Sequence, residues 1–484
     1  MTIPGTEIID RPTLPAPQAP TDTGTWFAAG FAENGPANVA VECRSFKDFA
    51  AAFGGRVSYS PLSDSVEAFF REGGSRCYVA RTVGPAPARA SKTLQDGSSA
   101  DTLTVTAKHY GDWGNGLNVA VIAGDAGGEF KLVITHDTDT SVSETSPSFA
   151  TGALAAGWAS QYVTVTDVLG SALDPAVVAA QSLAGGTDDH ASATDASWQA
   201  ALALFTRDLG PGQVSAPGRT TTQGHTDLLA HAASCNRHAL LDSQDTATVA
   251  THTAEAALLR ALPASGKGVL LAPWAVIPGT APGTSRTIPY SGVQAGVIAR
   301  GQAQGLDEGE AFAGPLKGRS AFATGLSQAA WTDAQRGTLN DAGVLVARLD
   351  PVYGVLAYGN RTLSDPAAKP LEVEASAARV IMAIKARGDA VAQRYAFAQI
   401  DGRRLKLGEF AGDLDGEACR PYYDAGALYG ETAGDAYVVD VGPGVNTPAT
   451  IAARELHAVI AARVSPNAER VVIEIASAPI TQEL

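Results

Sequence analysis

Cysteine, methionine and charge are all scarce in this chain: 484 residues contain 4 cysteines, 2 methionines and 18% charged side chains. Cys43, Cys77, Cys235 and Cys419 are widely scattered with no CxxC. Neither a disulfide framework nor a zinc site is indicated, and a reducing compartment fits. Basic residues are outnumbered, 35 Lys and Arg against 50 Asp and Glu, for a net charge of −15. That balance argues against nucleic acid or an anionic membrane as the main partner and remains compatible with a basic protein. Long hydrophobic runs are missing too. The most apolar stretch, "GVLLAPWAVIPG", is interrupted by Pro273 and too short to cross a bilayer. The opening "MTIPGTEIID" has neither a basic region nor an apolar core, so no leader or membrane insertion is expected, and the chain reads as made and kept in the cytoplasm unless released in a particle. No fixed-period repeat is present.

The length suggests about three domains. Residues Thr2 to Gly24 combine a short extended piece, Thr6 to Ile9, with the Pro-studded "RPTLPAPQAPTDTG", a composition that stays extended and reads as an arm. From Trp26 to Val83 strand and helix alternate, with a helix over Ser45 to Phe53. In "VEAFFREGGSRCYVARTV" and the residues just before it, Leu62, Val66, Phe69 and Phe70 form one helical stripe, Ser63 is a possible N-cap and Gly73 a stop. The period then changes to two: Cys77, Val79 and Arg81 share one face of a strand, Tyr78, Ala80 and Thr82 the other. Arg76 and Arg81 flank Cys77, which would favour a reactive thiolate. No His or second Cys lies nearby in sequence, so Cys77 reads as architectural.

A linker, "GPAPARASK", leads into a Thr-, Val- and Ser-rich region of alternating residues that ends near "SLAGGTDD" and reads as β-hairpins. From Trp198 the pattern is layered α/β: strands at Gln213 to Ala216, Ala239 to Asp242 and Gly268 to Trp274, helices at Thr226 to Ser234 and Thr246 to Leu262. Beyond Gly359 come a long helix, Glu372 to Arg394, and strands at Ala436 to Val441 and Arg470 to Ala476 flanking a helix at Ala449 to Arg463. Residues Arg403 to Gly434 carry no recognisable motif.

Chemical motifs are weak. "DTGT" at Asp22 to Thr25 matches an aspartic-protease loop but follows Pro-rich sequence where a strand is needed. Asp242, His252 and Ser285 can be nominated as a serine-hydrolase triad in subtilisin order. His252 lacks the following Gly, however, and Ser285 sits in a Pro/Gly loop with no apolar helix after it. His225, His231 and His238 have no partner at metal-binding spacing, and surface loops and helix faces account for them; "HDTDTSVSE" lacks the Gly and final Glu of a calcium loop. "GPGVNTP" and "SGKG" do not complete a phosphate loop. No catalytic, cofactor or metal site is expected.

Several landmarks nevertheless fall in one order. "IPGTEIID", "WFAAGFAENGP", "SFKDFAAAFG" and "FFREGGSRCYVART" come first, then "GDWGNGLNV", "LAGGTDD" and "VSAPG". "APW", "SGVQAGVIAR", "TLNDAGVLVAR" and "VYGVLAYGNRTL" complete the series. Over nearly the whole chain this order resembles the sheath protein of contractile phage tails and related contractile injection systems.

The resemblance implies a layered α/β central domain, subtilisin-like in fold without being a protease, with an inserted β-rich outer domain, a C-terminal α+β inner domain and extended terminal arms. Its expected boundaries are an N-terminal arm at 1–25, central-domain pieces at 26–88 and 191–358, the inserted domain at 89–190, the C-terminal domain at 359–470 and a final strand and arm at 471–484. It also implies a non-enzymatic subunit without cofactor, stacked as hexameric rings in a helical homo-oligomer around an inner tube, with baseplate and terminal cap proteins as further partners. Neither nucleic acid nor membrane insertion is expected, and the resemblance implies cytoplasmic assembly into a phage tail or phage-tail-like particle. The residues expected to link subunits are Thr6, Glu7, Ile8 and Ile9 in the first arm and Val471, Val472, Ile473, Glu474 and Ile475 in the last strand, by strand addition. The alternatives are a hydrolase using Ser285 and a static shell protein.

Overall fold

The computed structural model describes residues 21–168, 174–245, 248–303, 307–328 and 331–469. The chain begins with β1 (Trp26–Gly30), β2 (Val41–Cys43) and β3 (Cys77–Arg81). Seven strands follow in other sheets: β4 (Ser91–Gln95), β5 (Asp101–Ala107), β6 (Leu117–Ala123), β7 (Phe130–His136), β8 (Ser143–Thr145), β9 (Val163–Asp167) and β10 (Val178–Ser182). It returns with β11 (Gly212–Ser215), β12 (Arg237–Asp242) and β13 (Gly268–Ala272) and makes a small sheet from β14 (Ala275–Pro278), β15 (Ser285–Ile288) and β16 (Gly325–Leu326). The last strands are β17 (Val344–Asp350), β18 (Gly354–Tyr358), β19 (Tyr437–Asp440) and β20 (Val459–Ala462).

The main sheet has the order β18-β17-β13-β12-β11-β1-β3-β2. Its centre, from β17 through β3, is parallel, and an antiparallel strand closes each edge. Parallel strands are buried on both faces, and the alternation in β1 shows how. Trp26 and Ala28 enter one core with Cys77 and Val79. Phe27 and Ala29 enter the other with Ala80. Helices Phe46–Phe53, Leu62–Arg71 and Tyr290–Gln302 cover the first face, while Asp195–Ala203, Thr222–Ser234, Val249–Arg260 and Asp333–Asp341 cover the second. This is a three-layer α/β/α unit.

Between β3 and β11 of that sheet, β10-β6-β7-β8 and β4-β5-β9 form two antiparallel sheets around a shared core of Leu103, Val105, Leu117, Val119, Leu132 and Ile134. The entrance and exit of this unit meet at Arg81, whose buried guanidinium donates to the carbonyls of Ala32, Gly35 and Tyr110 at 2.8–3.1 Å and lies 3.9 Å from Asp188. Tyr59 donates to the same Asp188 at 2.9 Å and stacks on His190, ring centroids 3.7 Å apart. The C-terminal part packs the long helix Ala375–Arg394 on helix Leu405–Asp413, helix Arg420–Asp424 and the β19–β20 hairpin.

Three local expectations are corrected. Ser63 is not an N-cap: Pro61 holds that position, and Ser63 is buried in the first turn of helix Leu62–Arg71. His225 and His238 are buried, not on a surface, because the helix and strand carrying them pack inside the α/β unit. The helix expected over Ala449–Arg463 is only Pro448–Ala452. Arg454 turns the chain with φ 62°, and Val459–Ala462 pairs as a strand with β19. The stretch Leu405 to Asp424, in which the sequence offers no motif, is helical throughout.

Candidate functional site

The residues nominated as linking arms, Thr6 to Ile9 and Val471 to Ile475, lie outside the described residues, as does the expected strand from Arg470. The structure does describe the two points from which those segments continue. At the first, Asp22 accepts from Arg76 at 3.0 Å and from the Gly24 amide at 2.9 Å. The Thr23 carbonyl accepts from buried Gln213 at 2.9 Å, and the Thr23 hydroxyl donates to Glu308 at 2.8 Å. Thr23 and Thr25 are almost wholly buried.

At the second point, Asn467 donates to the Gly309 carbonyl at 3.0 Å and to the Ser376 hydroxyl at 2.8 Å, and its amide donates to Glu374 at 3.1 Å. Arg361 then grips Glu469 with two bonds, 2.8 and 2.6 Å, while also reaching Asp341 at 2.8 Å. These bonds hold the Arg361 guanidinium above its ordinary value. They also give the stretch "GNRTL" a physical role. Asn360 binds Ser376 through both amide atoms and Thr362 donates to the Glu372 carbonyl at 2.6 Å, so the motif fastens β18, the long helix and the outgoing chain together. A groove of about 420 Å³ lined by Arg336, Arg348, Tyr358 and Asn467 opens beside it.

Both roots therefore meet on the consecutive residues Glu308 and Gly309. Behind them lies Arg379, almost completely buried, donating to the Glu310 carbonyl at 2.7 Å and lying 4.6 Å over the Phe312 ring. Burial pushes its guanidinium down to about 9, against the opposing pull of Glu308.

The nominated triad is not assembled. Ser285, expected in a loop with no apolar helix after it, is instead exposed at the start of β15, and the buried helix Tyr290–Gln302 follows; His252 is buried with its ring edge-on to Trp331, centroids 5.5 Å apart. Asp242, at the end of β12, instead accepts from the amide of Ser291 at 2.8 Å and from its hydroxyl at 2.6 Å. Burial pushes this carboxyl up to about 6, partly offset by the Ser291 bonds. Ser291 is wholly buried in the first turn of helix Tyr290–Gln302. Its hydroxyl is committed to a carboxylate with no imidazole on it, which suits capping orphan helix N–H groups, not nucleophilic attack. His225 accordingly faces the Asp242 carbonyl at 3.0 Å and Glu255 at 3.0 Å. Among the described residues no group of acidic, His or Cys side chains could hold a metal ion, and no helix is long and apolar enough to cross a membrane.

The β19–β20 hairpin stands as a sheet of its own. Among the described residues no third strand covers either edge, and Val438 and Val459 are exposed on it.

Residues 85–189 match the family model of the phage tail sheath protein beta-sandwich domain, the region of β4 to β10. A sheath tail protein from Listeria innocua superposes with a TM-score of 0.60 at 14% identity, covering 88% of this chain and 90% of that one. This is the fold of a tail sheath protein. The sheath of PVC, an extracellular contractile injection system, in its contracted state shares it with a TM-score of 0.58 at 16% identity over 98% of both chains. So does the contracted helical sheath of the anti-feeding prophage, with a TM-score of 0.56 at 16% identity over 98% of this chain and 99% of that. No curated protein matches the chain by sequence. The sheath fold thus joins a mixed α/β unit, a β-sandwich and a mostly helical C-terminal part in one chain. Sequence reasoning missed its arm roots and the open hairpin. The alternation in "VIAA" was the signal for β20, outweighed by a helix-like apolar content.

Proposed function

We propose that the chain is the structural subunit of a contractile sheath, polymerised as stacked hexameric rings around an inner tube and contracting to drive that tube through a target envelope. The observation that carries this reading is the meeting of both arm roots at Glu308–Gly309, in a chain that also presents an open-edged hairpin. Unpaired strand edges invite strand addition, and arms anchored at one rigid node can hold neighbours together while the bodies between them move. In this reading Thr6 to Ile9 and Val471 to Ile475 are strands donated to neighbouring copies, and β19–β20 is a receiving sheet. The α/β unit is a subtilisin-like scaffold that has no catalytic role. The sandwich, 89–190, is inserted in it and faces outward; residues 359–470 face the tube. Baseplate and cap proteins terminate the stack, which is built in the cytoplasm for a phage tail or a phage-tail-like particle.

Deleting Thr2 to Thr21 tests the reading. The deleted stretch is Pro-rich and holds few large apolar residues, so a monomer with native circular dichroism and no cylinders by electron microscopy is expected. Normal-length cylinders from the deleted chain would overturn the role of the arm. A single cylinder length under every condition would favour a static shell instead.

A further inference from the structure

Cys43 and Cys77 are far apart in sequence and adjacent in the sheet. They are direct partners across the antiparallel pair β2–β3, both wholly buried and in the same core. Opposed residues of an antiparallel pair have Cα atoms about 4.5–5.5 Å apart, inside the roughly 4.4–6.8 Å over which disulfides close. The remaining cysteines, Cys235 and Cys419, have no such neighbour among the described residues.

We propose that Cys43 and Cys77 are a modification site at which a small organic disulfide of the glutathione type closes a cross-strand disulfide. One cysteine, deprotonated, attacks the small disulfide, forming a mixed disulfide and expelling one small thiolate. The second cysteine then attacks the protein sulfur of that bond and expels the other. Two protein S–H bonds become one S–S bond, the small disulfide is reduced to two thiols, and the two cysteine protons end on them.

The closed sheet resists this reaction. Burial raises the Cys77 thiol well above its ordinary value, so thiolate is scarce while β2 is in place. β2 is only three residues long, lies at the sheet edge, is paired on one side and exposes Glu42, which makes it an element of low local stability. Oxidation therefore proceeds through opening of this edge, and closure ties β2 and the following helix to β3. A cross-strand bridge is geometrically tight, hence readily reduced. Preparations kept in reducing agent would not contain it. The inference rests on these two strands alone and is independent of the sheath reading.

The test uses the full chain, freed of reductant and incubated with oxidised glutathione with and without urea below the unfolding transition, followed by peptide mapping without reduction. The expected result is a peptide containing Cys43 linked to one containing Cys77. It should form several-fold faster in sub-denaturing urea and be lost with dithiothreitol, while half-buried Cys235 takes up glutathione singly. In Cys43→Ser the link should vanish, leaving Cys77 free or carrying glutathione. If Cys43 and Cys77 stay free at every sub-denaturing concentration that fully modifies Cys235, or each carries glutathione without ever being linked, the proposal is overturned.

Discussion

Thr23 and Asn467, at opposite ends of the described chain, hydrogen-bond to consecutive residues: Thr23 to the Glu308 side chain at 2.8 Å and Asn467 to the Gly309 carbonyl at 3.0 Å. If the terminal segments link neighbouring copies as proposed, the short segment Asp307–Gly309 joins their two roots without crossing the eight-stranded sheet. Thr23→Val keeps the side-chain shape and strands a buried carboxylate oxygen, for an expected loss of about 1–3 kcal/mol. Asn467→Ala removes bonds that are only part-buried and should cost less. Both monomers should remain folded by circular dichroism, and both should show a smaller assembled fraction in sedimentation. Full assembly by the two variants would reduce the node to a stabilising contact.

The parts legible in the sequence were those with local periodicity. Alternation in Cys77 to Arg81 assigned each side chain to its face, and Leu62, Val66 and Phe69 marked the buried stripe of their helix. What failed depended on partners distant in the chain. Cys77 had no second cysteine nearby until β2 folded back beside β3. Ser291 could not be recognised as the partner of Asp242, because their bond requires helix Tyr290–Gln302 to dock beneath the end of β12. Strand β20 was hidden by its helix-compatible composition and is specified by pairing with β19, with Asn446 bracing the connection through the His457 amide and carbonyl. The linking residues themselves were nominated from resemblance, and the node that anchors their segments has no signature in spacing.

The glycines of "SGVQAGVIAR" are expected to be intolerant of side chains. A Cβ on Gly292 would lie 2.6 Å from the Ser65 carbonyl oxygen, and one on Gly296 would lie 2.7 Å from that of Phe69. Helix Tyr290–Gln302 therefore touches the backbone of helix Leu62–Arg71. Gly296→Ala should cost roughly 1–3 kcal/mol through overpacking. Gly337→Ala, in helix Asp333–Asp341 with open space around it, should instead stabilise by about 0.5–1 kcal/mol. Urea melts of the two variants check both signs, and equal effects would refute the packing argument.

Two sets of buried or half-buried groups should oppose each other in acid. Asp242 keeps its proton up to about 6 in the folded chain but only to about 3.9 when unfolded, so its contribution to stability declines as pH rises through that window. His109 and His231, each lowered to about 4, and His238, lowered to about 3, resist protonation in the fold. Their contribution declines as pH falls from about 6.5 toward those values. Asp242→Asn removes the first contribution and leaves the second. Between pH 4 and 6 the variant should lose stability on acidification more steeply than the parent. Parallel curves for the two would show that Asp242 titrates as an ordinary carboxyl.

The hairpin gives the sharpest separation of folding from assembly. Val438 and Val459 are 53% and 52% exposed on β19 and β20, so neither fills the subunit's own core, whereas Tyr437 on β19 is buried. A lysine on an open strand edge discourages another strand from pairing there, by charge and by the cost of desolvating it. Val438→Lys and Val459→Lys should each change monomer stability by no more than about 0.5 kcal/mol, as exposed substitutions do. If β19–β20 receives strands from neighbouring copies, one or both variants should remain soluble, folded and largely unassembled. Tyr437→Ala should by contrast lower the melting temperature, since it removes a buried aromatic ring and its 2.7 Å hydroxyl bond to Asp415. Circular dichroism of the monomer and sedimentation of the assembled fraction distinguish the cases. Full-length cylinders from both lysine variants would mean that the hairpin edges are not where copies join.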